Sequence, residues 1–495
     1  MTTEGMDPGN DPVVEAGAAH VVVVGGGLAG LSAACRLATE GRRVTLFEGR
    51  ARLGGATFSF ERDNLTVDNG QHVLLRCYEE YRAFLDLLGV GEHVGIQPRF
   101  HIPVVTADGR HAELTRNDLP APLHLAGTLS GYRLLSALDR ARVLLAAGLM
   151  RTLDPADPAL DDRSFGDWLS AHGQSAAAKA ALWNLITVAA LNTDADHASL
   201  ALCAKVFRTA LLRHADAADI GVPRRPLGEL HGEAAAAFLG RHGGTVLTRA
   251  AVREIRPTAE GWLVCTDTGS VTADAVVVAV PPESAAEILP AGALPEPSRL
   301  LKLGSAPIIN VHAVYDRPVT DAPFTAVVGS PVQWVFDRTE VSGAPAGGQY
   351  LAVSLSAAGE WIDEPTARLR EVFEPELARL FPAAVGATVT SFFVTRERRA
   401  TFRQTPGSGR LRPPARTELP GCVLAGAWTA TGWPDTMEGA VRSGNEAARV
   451  VGAYLAHDAR GRNGHGAANS RVAGQTDGPT AGEIHGQPHT LEATS

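Results

Sequence analysis

Three glycines and one acid are the residues whose types and spacing speak most directly of chemistry. Gly25, Gly27 and Gly30 stand in a G-x-G-x-x-G pattern, and Glu48 follows 23 residues after the first of them. The first glycine of such a pattern makes a tight turn, the second lets a pyrophosphate approach the backbone, and the third lets helix pack on strand. An acid about 20 residues further on accepts from ribose hydroxyls. A carboxylate there repels a 2′-phosphate, which points to FAD or NAD rather than NADP. Glycine turns are common, so the weight lies in the order strand, turn, helix, strand, acid.

Three further stretches concentrate chemistry. Asp68-Asn-Gly-Gln-His72 gathers hydrogen-bonding groups into one turn between apolar flanks. Such a turn either faces a ligand or is an Asx-type turn with a satisfied histidine. Arg50, Arg52 and Gly55 follow the first unit; they suit a second backbone approach to phosphate, the alternative being solvated arginines. Near the end, a buried strand into Gly426 leads to a loop and to a helix capped by Thr436. A helix N-terminus beside a strand end suits an electron-rich ring oxygen or a phosphate.

The elements that must position these residues alternate in period. Val21–Val24 is an unbroken β-branched run, as in a strand buried on both faces. Leu31, Ala34, Leu37 and Ala38 recur at helical spacing, Gly41 ends that helix, and Val44–Phe47 returns as a strand. Residues 79–88 read as a helix and 119–153 as a weakly broken helical region. The latter is rich in leucine and carries Arg133, Arg140, Arg142 and Arg151; it either packs on a core or lies on an anionic membrane surface. Residues 163–212 and 228–242 are helical. Residues 245–255, 261–266, 270–272 and 275–282 are strands, the last re-entering the nucleotide domain. Residues 303–395 are strand-rich around one helix at 364–381. This predicts an α/β chain: a Rossmann-like dinucleotide domain from 19–100, 215–295 and 415–456, interleaved with an α+β substrate domain from 101–214 and 296–414. Residues 1–18 and 457–495 have few large apolar side chains and read as disordered.

Composition excludes several classes. With a net charge of −9, nucleic acid is not an expected partner. The five cysteines show no CxxC spacing, which argues against a disulfide or zinc framework and for a cytoplasmic location. No stretch reaches 18 continuous apolar residues, and residues 1–18 do not read as a signal peptide.

The segments VVVVGGGLAGLSAA, EGRARLGG, DAVVVAVPP and GCVLAGAW…TMEGAVRSG resemble the flavin-containing amine oxidase and phytoene desaturase superfamily, whose FAD domain is of the glutathione reductase type. DNGQHVLLRCY, ALNT, RERRATF and WTATGWPDTMEGAVRSG are similar to the squalene-associated, FAD-dependent hydroxysqualene dehydroxylases within it. The resemblance spans residues 20–455. It implies an FAD with its pyrophosphate at Gly25, Gly27, Leu28, Ala29 and Gly30, its ribose at Glu48, and Arg50, Arg52 and Gly55 on the phosphate side. Val252 would bond adenine through its backbone, and Gly426, Met437 and Glu438 would meet the ribityl and pyrimidine end. Ala56 and Ala427 stand where the superfamily usually has a basic and an acidic residue, so each removes one side-chain contact to FAD. The implied reaction is reductive loss of an allylic hydroxyl from hydroxysqualene in squalene and hopanoid synthesis, with hydride from reduced flavin and an electron donor that the resemblance leaves unnamed. Hydroxide is a poor leaving group, so an acid must protonate it; His72 is the candidate donor. Trp334, Trp428 and Trp433 are either pocket walls that steady a cation or ordinary core. The rivals are a polyprenoid desaturase, running hydride the other way, and a flavin-free prenyl-lipid carrier. An oily substrate adds the expectation of peripheral contact with the inner face of the membrane.

Overall fold

The computed structural model describes residues 17–472. At its centre is strand β1 (His20–Val24), buried along its whole length. Helix α1 (Leu28–Thr39) and strand β2 (Arg43–Phe47) complete the first βαβ unit. A parallel five-stranded sheet is built on it in the spatial order Thr245–Leu247, β2, β1, Ala275–Val278, Cys422–Leu424. Its strands therefore come from three separated parts of the chain. The valine run of β1 is explained by this position, because both faces of an inner parallel strand meet apolar layers. Leu31, Ala34 and Leu37 of α1 pack against Val441, Ala448 and Val451 of the terminal helix Met437–Val472.

Beyond β2 comes a hairpin of β3 (Ser59–Arg62) and β4 (Leu65–Asp68). Its two-residue turn places Asp63 and Asn64 at φ 51° and 63°. Such a turn needs positive φ at both positions, which short polar side chains tolerate. Helix α2 (Glu79–Leu88) follows, with Tyr81, Phe84, Leu85 and Leu88 buried as its spacing predicts.

The second sheet has seven strands in the order Val389–Thr401, Ala306–Tyr315, Gln349–Leu355, Trp334–Asp337, Phe324–Val328, His101–Thr106, His111–Thr115. All neighbours are antiparallel except Phe324–Val328 with His101–Thr106. Ile309, Val311 and Val353 on one face pack on Leu369, Phe373 and Leu377 of helix Thr366–Leu380. The alternating positions Ile308, Asn310, Trp334 and Ser354 face a cavity. Helices Asn184–Leu191 and Leu200–Phe207 close its far side.

The structure corrects several expected boundaries. Residues 245–255 are not one strand: Arg249 takes φ 54°, and Thr245–Leu247 and Val252–Thr258 join different sheets. The region 119–153 breaks at Tyr132–Ser136 into helices Ala126–Gly131 and Ala137–Met150. The terminal helix continues past residue 456, where a disordered tail was expected. A helix is held by its own backbone hydrogen bonds, so it can extend without large apolar side chains. The rest of that tail and residues 1–16 lie outside the described residues.

Candidate functional site

The glycine turn is built for close approach. Gly25 has φ 107° and donates its N–H to the Phe47 carbonyl at 2.7 Å. A Cβ on Gly30 would overlap the Gly25 carbonyl oxygen. At Gly27 a Cβ would meet only the Gly55 Cα, at 3.7 Å, so space lies open beside this backbone. Gly54 donates to the Gly26 carbonyl at 2.8 Å, which joins the second glycine pair to the first turn. Leu28 and Ala29 open α1 just beyond, where unpaired N–H groups carry partial positive charge.

Glu48 ends β2 with its carboxylate across the mouth of this turn. Its two oxygens accept from the N–H groups of Gly26 and Arg50, each at 2.7 Å. A carboxylate has about four acceptor positions, so lone pairs remain for ribose hydroxyls. Arg50 is exposed, and the Arg52 guanidinium lies 3.4 Å from the Phe58 ring centroid. Burial, with Arg50 nearby, lowers the Arg52 pKa. Val252 opens a strand whose register shifts between it and Glu254. The Ala250 N–H donates to the Glu48 carbonyl at 2.9 Å, which ties that strand to the acid.

At the other end of the crevice, Gly426 has φ 148° and donates to Ser443 Oγ at 2.8 Å. Thr436 caps the terminal helix: its Oγ1 accepts from the Gly439 N–H at 3.2 Å. Met437 and Glu438 stand in the first turn, where N–H groups have no intrahelical acceptor. The Glu438 side chain is engaged within the protein. It is fully buried and accepts from the Tyr81 N–H at 2.8 Å, the Glu80 N–H at 3.3 Å and Arg442 Nε at 2.7 Å. Helix α2 presents free N–H groups there, and its N-terminal end has captured the acid. Burial still raises the Glu438 pKa, against the pull of those donors. Only its backbone is left for a ligand. Ala56 borders the cavity and Ala427 is buried, its carbonyl accepting from Arg412 at 2.8 Å.

Between these two ends opens a cavity of about 370 Å³. Leu28, Gly54, Thr57, Met437 and Ala440 border it on the side of the glycine turn; Leu185, Ile186, Val206, Phe324, Trp334 and Phe336 border it on the side of the seven-stranded sheet and its helices. The turn expected to carry polar contacts divides. Asp68 is spent on structure, paired with Arg338 at 2.9 Å and accepting from Ser59 Oγ and the Leu227 N–H. Asn69 is spent likewise, donating to the Ala56 carbonyl and accepting from the Phe58 N–H. Gln71 and His72 face the cavity. Gln71 Nε2, and Asn310 Oδ1 from the sheet, are buried without a protein partner, so both await a ligand's polar atoms. Burial lowers the His72 pKa, and its Nδ1 lies 3.2 Å from the Gly70 carbonyl. The carbonyl can only accept, so Nδ1 carries the proton and Nε2 is an acceptor. The ring is neutral, with its one N–H already engaged.

The tryptophans separate too. Trp334 lines the cavity. Trp428 is core: its Nε1 donates to the Val280 carbonyl at 3.0 Å, and its ring covers Gly426. Trp433 stands behind the wall, edge-on to the cavity residue Tyr78 at 6.1 Å, with Lys205 and Arg442 against its ring. Sequence reasoning passed over Asn192, Asn310, Glu397, Thr401 and Asp435 as site residues, all of which border the cavity. Asn192 is positioned for structure. It ends its helix at φ 53°, donates to the Ala306 carbonyl and accepts from the Ala357 N–H.

An open backbone at Gly27, a carboxylate with spare lone pairs and orphaned amides in an adjoining cavity together fit a dinucleotide whose ring end reaches the cavity. Comparison with known proteins agrees. Residues 28–452 match the family described as flavin containing amine oxidoreductase. Hydroxysqualene dehydroxylase of Sinorhizobium fredii is 30% identical over 442 residues, covering 87% of this chain and 98% of the relative. The protein of the same name from Rhodopseudomonas palustris is 31% identical over 445 residues, with the same coverage. Among solved structures, wild-type putrescine oxidase bound to putrescine superimposes with a TM-score of 0.65 at 21% identity, covering 88% of this chain and 99% of that one.

Proposed function

This chain belongs to the flavin containing amine oxidoreductases and is an FAD-dependent oxidoreductase, and from that premise we propose that it reductively removes the allylic hydroxyl of hydroxysqualene to give squalene. The observation that carries this reading is the cavity: it is apolar for most of its lining, with polar groups set into it from the turn after β4, the start of the terminal helix and the seven-stranded sheet. A long hydrocarbon with one hydroxyl needs that distribution. The names of the two bacterial relatives support the same reaction.

Gly25, Gly27 and Gly30, with Leu28 and Ala29, hold the pyrophosphate, and the free lone pairs of Glu48 hold the ribose. Arg50, Arg52 and Gly55 serve the phosphate side, and the Val252 backbone serves adenine. Gly426 and the N–H groups of Met437 and Glu438 serve the ribityl and pyrimidine end. When bound and reduced, FAD supplies a hydride. The apolar walls exclude water from the cation that the hydride must reach, and the Trp334 π face steadies that charge. A proton must reach the departing oxygen from the protein. His72, first in line by sequence, presents an acceptor to the cavity and suits holding the substrate hydroxyl's own proton. Anaerobic incubation of the reduced holoenzyme with hydroxysqualene yields squalene by extraction and chromatography; recovery of unchanged alcohol contradicts the assignment.

The same chemistry leads us to place the protein on a membrane surface. No helix among the described residues is long and apolar enough to cross one. Helix Ala137–Met150 packs inward by Val143, Ala146 and Met150, but Leu138, Leu144, Leu145 and Leu149 are exposed on it, and Leu119 and Leu123 are exposed before it. Arg133, Arg142 and Arg151 are exposed among them. Exposed leucines rimmed by arginine suit an anionic bilayer. The protein should float with vesicles containing anionic lipid, and the double variant Leu138→Ser with Leu145→Ser should float less. Sedimentation of the wild type away from those vesicles rejects the contact.

A further inference from the structure

Building on the proposed reaction, we infer that Asp435 is the catalytic acid that protonates the leaving hydroxyl. Its carboxyl lines the cavity immediately before the cap residue Thr436, so it stands beside Met437 and Ala440 at the flavin end. One oxygen accepts from the Phe402 N–H at 2.8 Å, and its own N–H donates to Gln404 Oε1 at 3.0 Å. Those two contacts fix the loop, and the second carboxyl oxygen has no hydrogen-bond partner among the described residues. Among the described residues Asp435 makes no ion pair.

The charged groups around it do not compensate it. Arg412 acts on it through charge, but its guanidinium donates to the carbonyls of Thr429 and Ala427 and to Thr431 Oγ1. Glu438 and Arg442 on the following helix are paired with each other. Across the cavity are Glu397, which carries like charge, and the neutral His72; Tyr78 adds a phenol. Burial raises the Asp435 carboxyl to about 6, with the Phe402 N–H and Arg412 pulling it down. A carboxylic acid near that value retains its proton in a useful fraction of molecules at neutral pH. Proteins keep a carboxyl protonated by apolar surroundings elsewhere in catalysis.

The step balances. The Asp435 O–H proton passes to the hydroxyl oxygen, the C–O bond breaks with its electron pair leaving in water, and an allylic cation remains beside the new carboxylate. That cation takes the hydride supplied by reduced FAD, and solvent returns a proton to Asp435 between turnovers. His72 cannot fill this role, since its single N–H is held by the Gly70 carbonyl.

The substitution Asp435→Asn preserves shape and removes the acid. The variant should keep its flavin band and lower the single-turnover rate of squalene formation by about 10²–10⁴-fold, and Asp435→Glu should recover part of it. The wild-type rate should fall as pH rises through about 6, a limb that Asp435→Asn lacks. Independently of turnover, the wild-type infrared spectrum should contain a carboxylic C=O stretch that titrates near pH 6 and vanishes in Asp435→Asn. Wild-type enzyme that forms no squalene overturns the reaction itself. Wild-type enzyme that forms squalene, with Asp435→Asn equally fast or with no such band, overturns the role of Asp435 alone.

Discussion

Gly30→Ala protein should emerge from purification colourless. The added methyl group would overlap the backbone carbonyl oxygen of Gly25, and its next neighbours are the Gly25 carbonyl carbon and Ala279 Cβ. None of these is a flexible side-chain end. Gly25 cannot yield, because its N–H is bonded to Phe47 and its own position touches Ala279. Helix α1 must therefore move off β1, which opens the cradle and disturbs its packing on the terminal helix, where Gly444 sits against Ser32 and Ala29. Overpacking of this kind typically costs about 1–3 kcal/mol, and both FAD content and thermal midpoint should drop. Gly27→Ala separates the two effects. There the methyl group meets only Gly55 Cα at ordinary contact distance, so the fold should survive while the pyrophosphate's space is filled. Stoichiometric flavin in both variants, measured by absorbance against protein, would contradict the cradle.

A second large effect is expected at Asp219, which is fully buried. Its carboxylate accepts from Arg116 Nε at 2.7 Å, from Arg76 Nε at 3.0 Å and from the Phe100 N–H at 2.7 Å. It thereby ties the segment after β4 to the start of the seven-stranded sheet. The Asp219→Asn change removes the charge that both arginines were folded around, and the half-buried guanidinium of Arg116 keeps only the more distant Asp118, at 3.7 Å. Breaking a buried pair by removing one partner typically costs about 3–5 kcal/mol. A lowered thermal midpoint by calorimetry is the expected reading, and an unchanged midpoint would show that the arginines find water or another acid.

Much of the nucleotide half was legible because its signals are local. A valine run, three glycines and an acid follow one another within about 30 residues, as the βαβ unit dictates. The strand Ala275–Val278 was equally plain, since full burial leaves no polar interruption. The hairpin His101–Thr115 escaped notice, although Asp108-Gly109 marks its turn and Val104 and Val105 its buried face. The site itself was less legible. Asp435 looks in sequence like an ordinary acid ahead of a helix, where the dipole welcomes negative charge. Only the fold turns it into a cavity and supplies Phe402 and Arg412 as its surroundings. Glu438 shows the reverse dependence: the motif implies a place at the cofactor, and helix α2, far away in sequence, engages its carboxylate. Trp428, open between wall and core in the sequence, is core by packing. Such outcomes depend on which element arrives opposite, and no spacing within a segment encodes that.

One turnover decides the central claim. Enzyme carrying reduced FAD, mixed without oxygen with a single equivalent of hydroxysqualene, should regain its visible flavin band in step with squalene formation, one flavin oxidised per squalene released. A flavin that stays reduced while the alcohol persists, or squalene that appears with no change in the flavin band, would contradict the account.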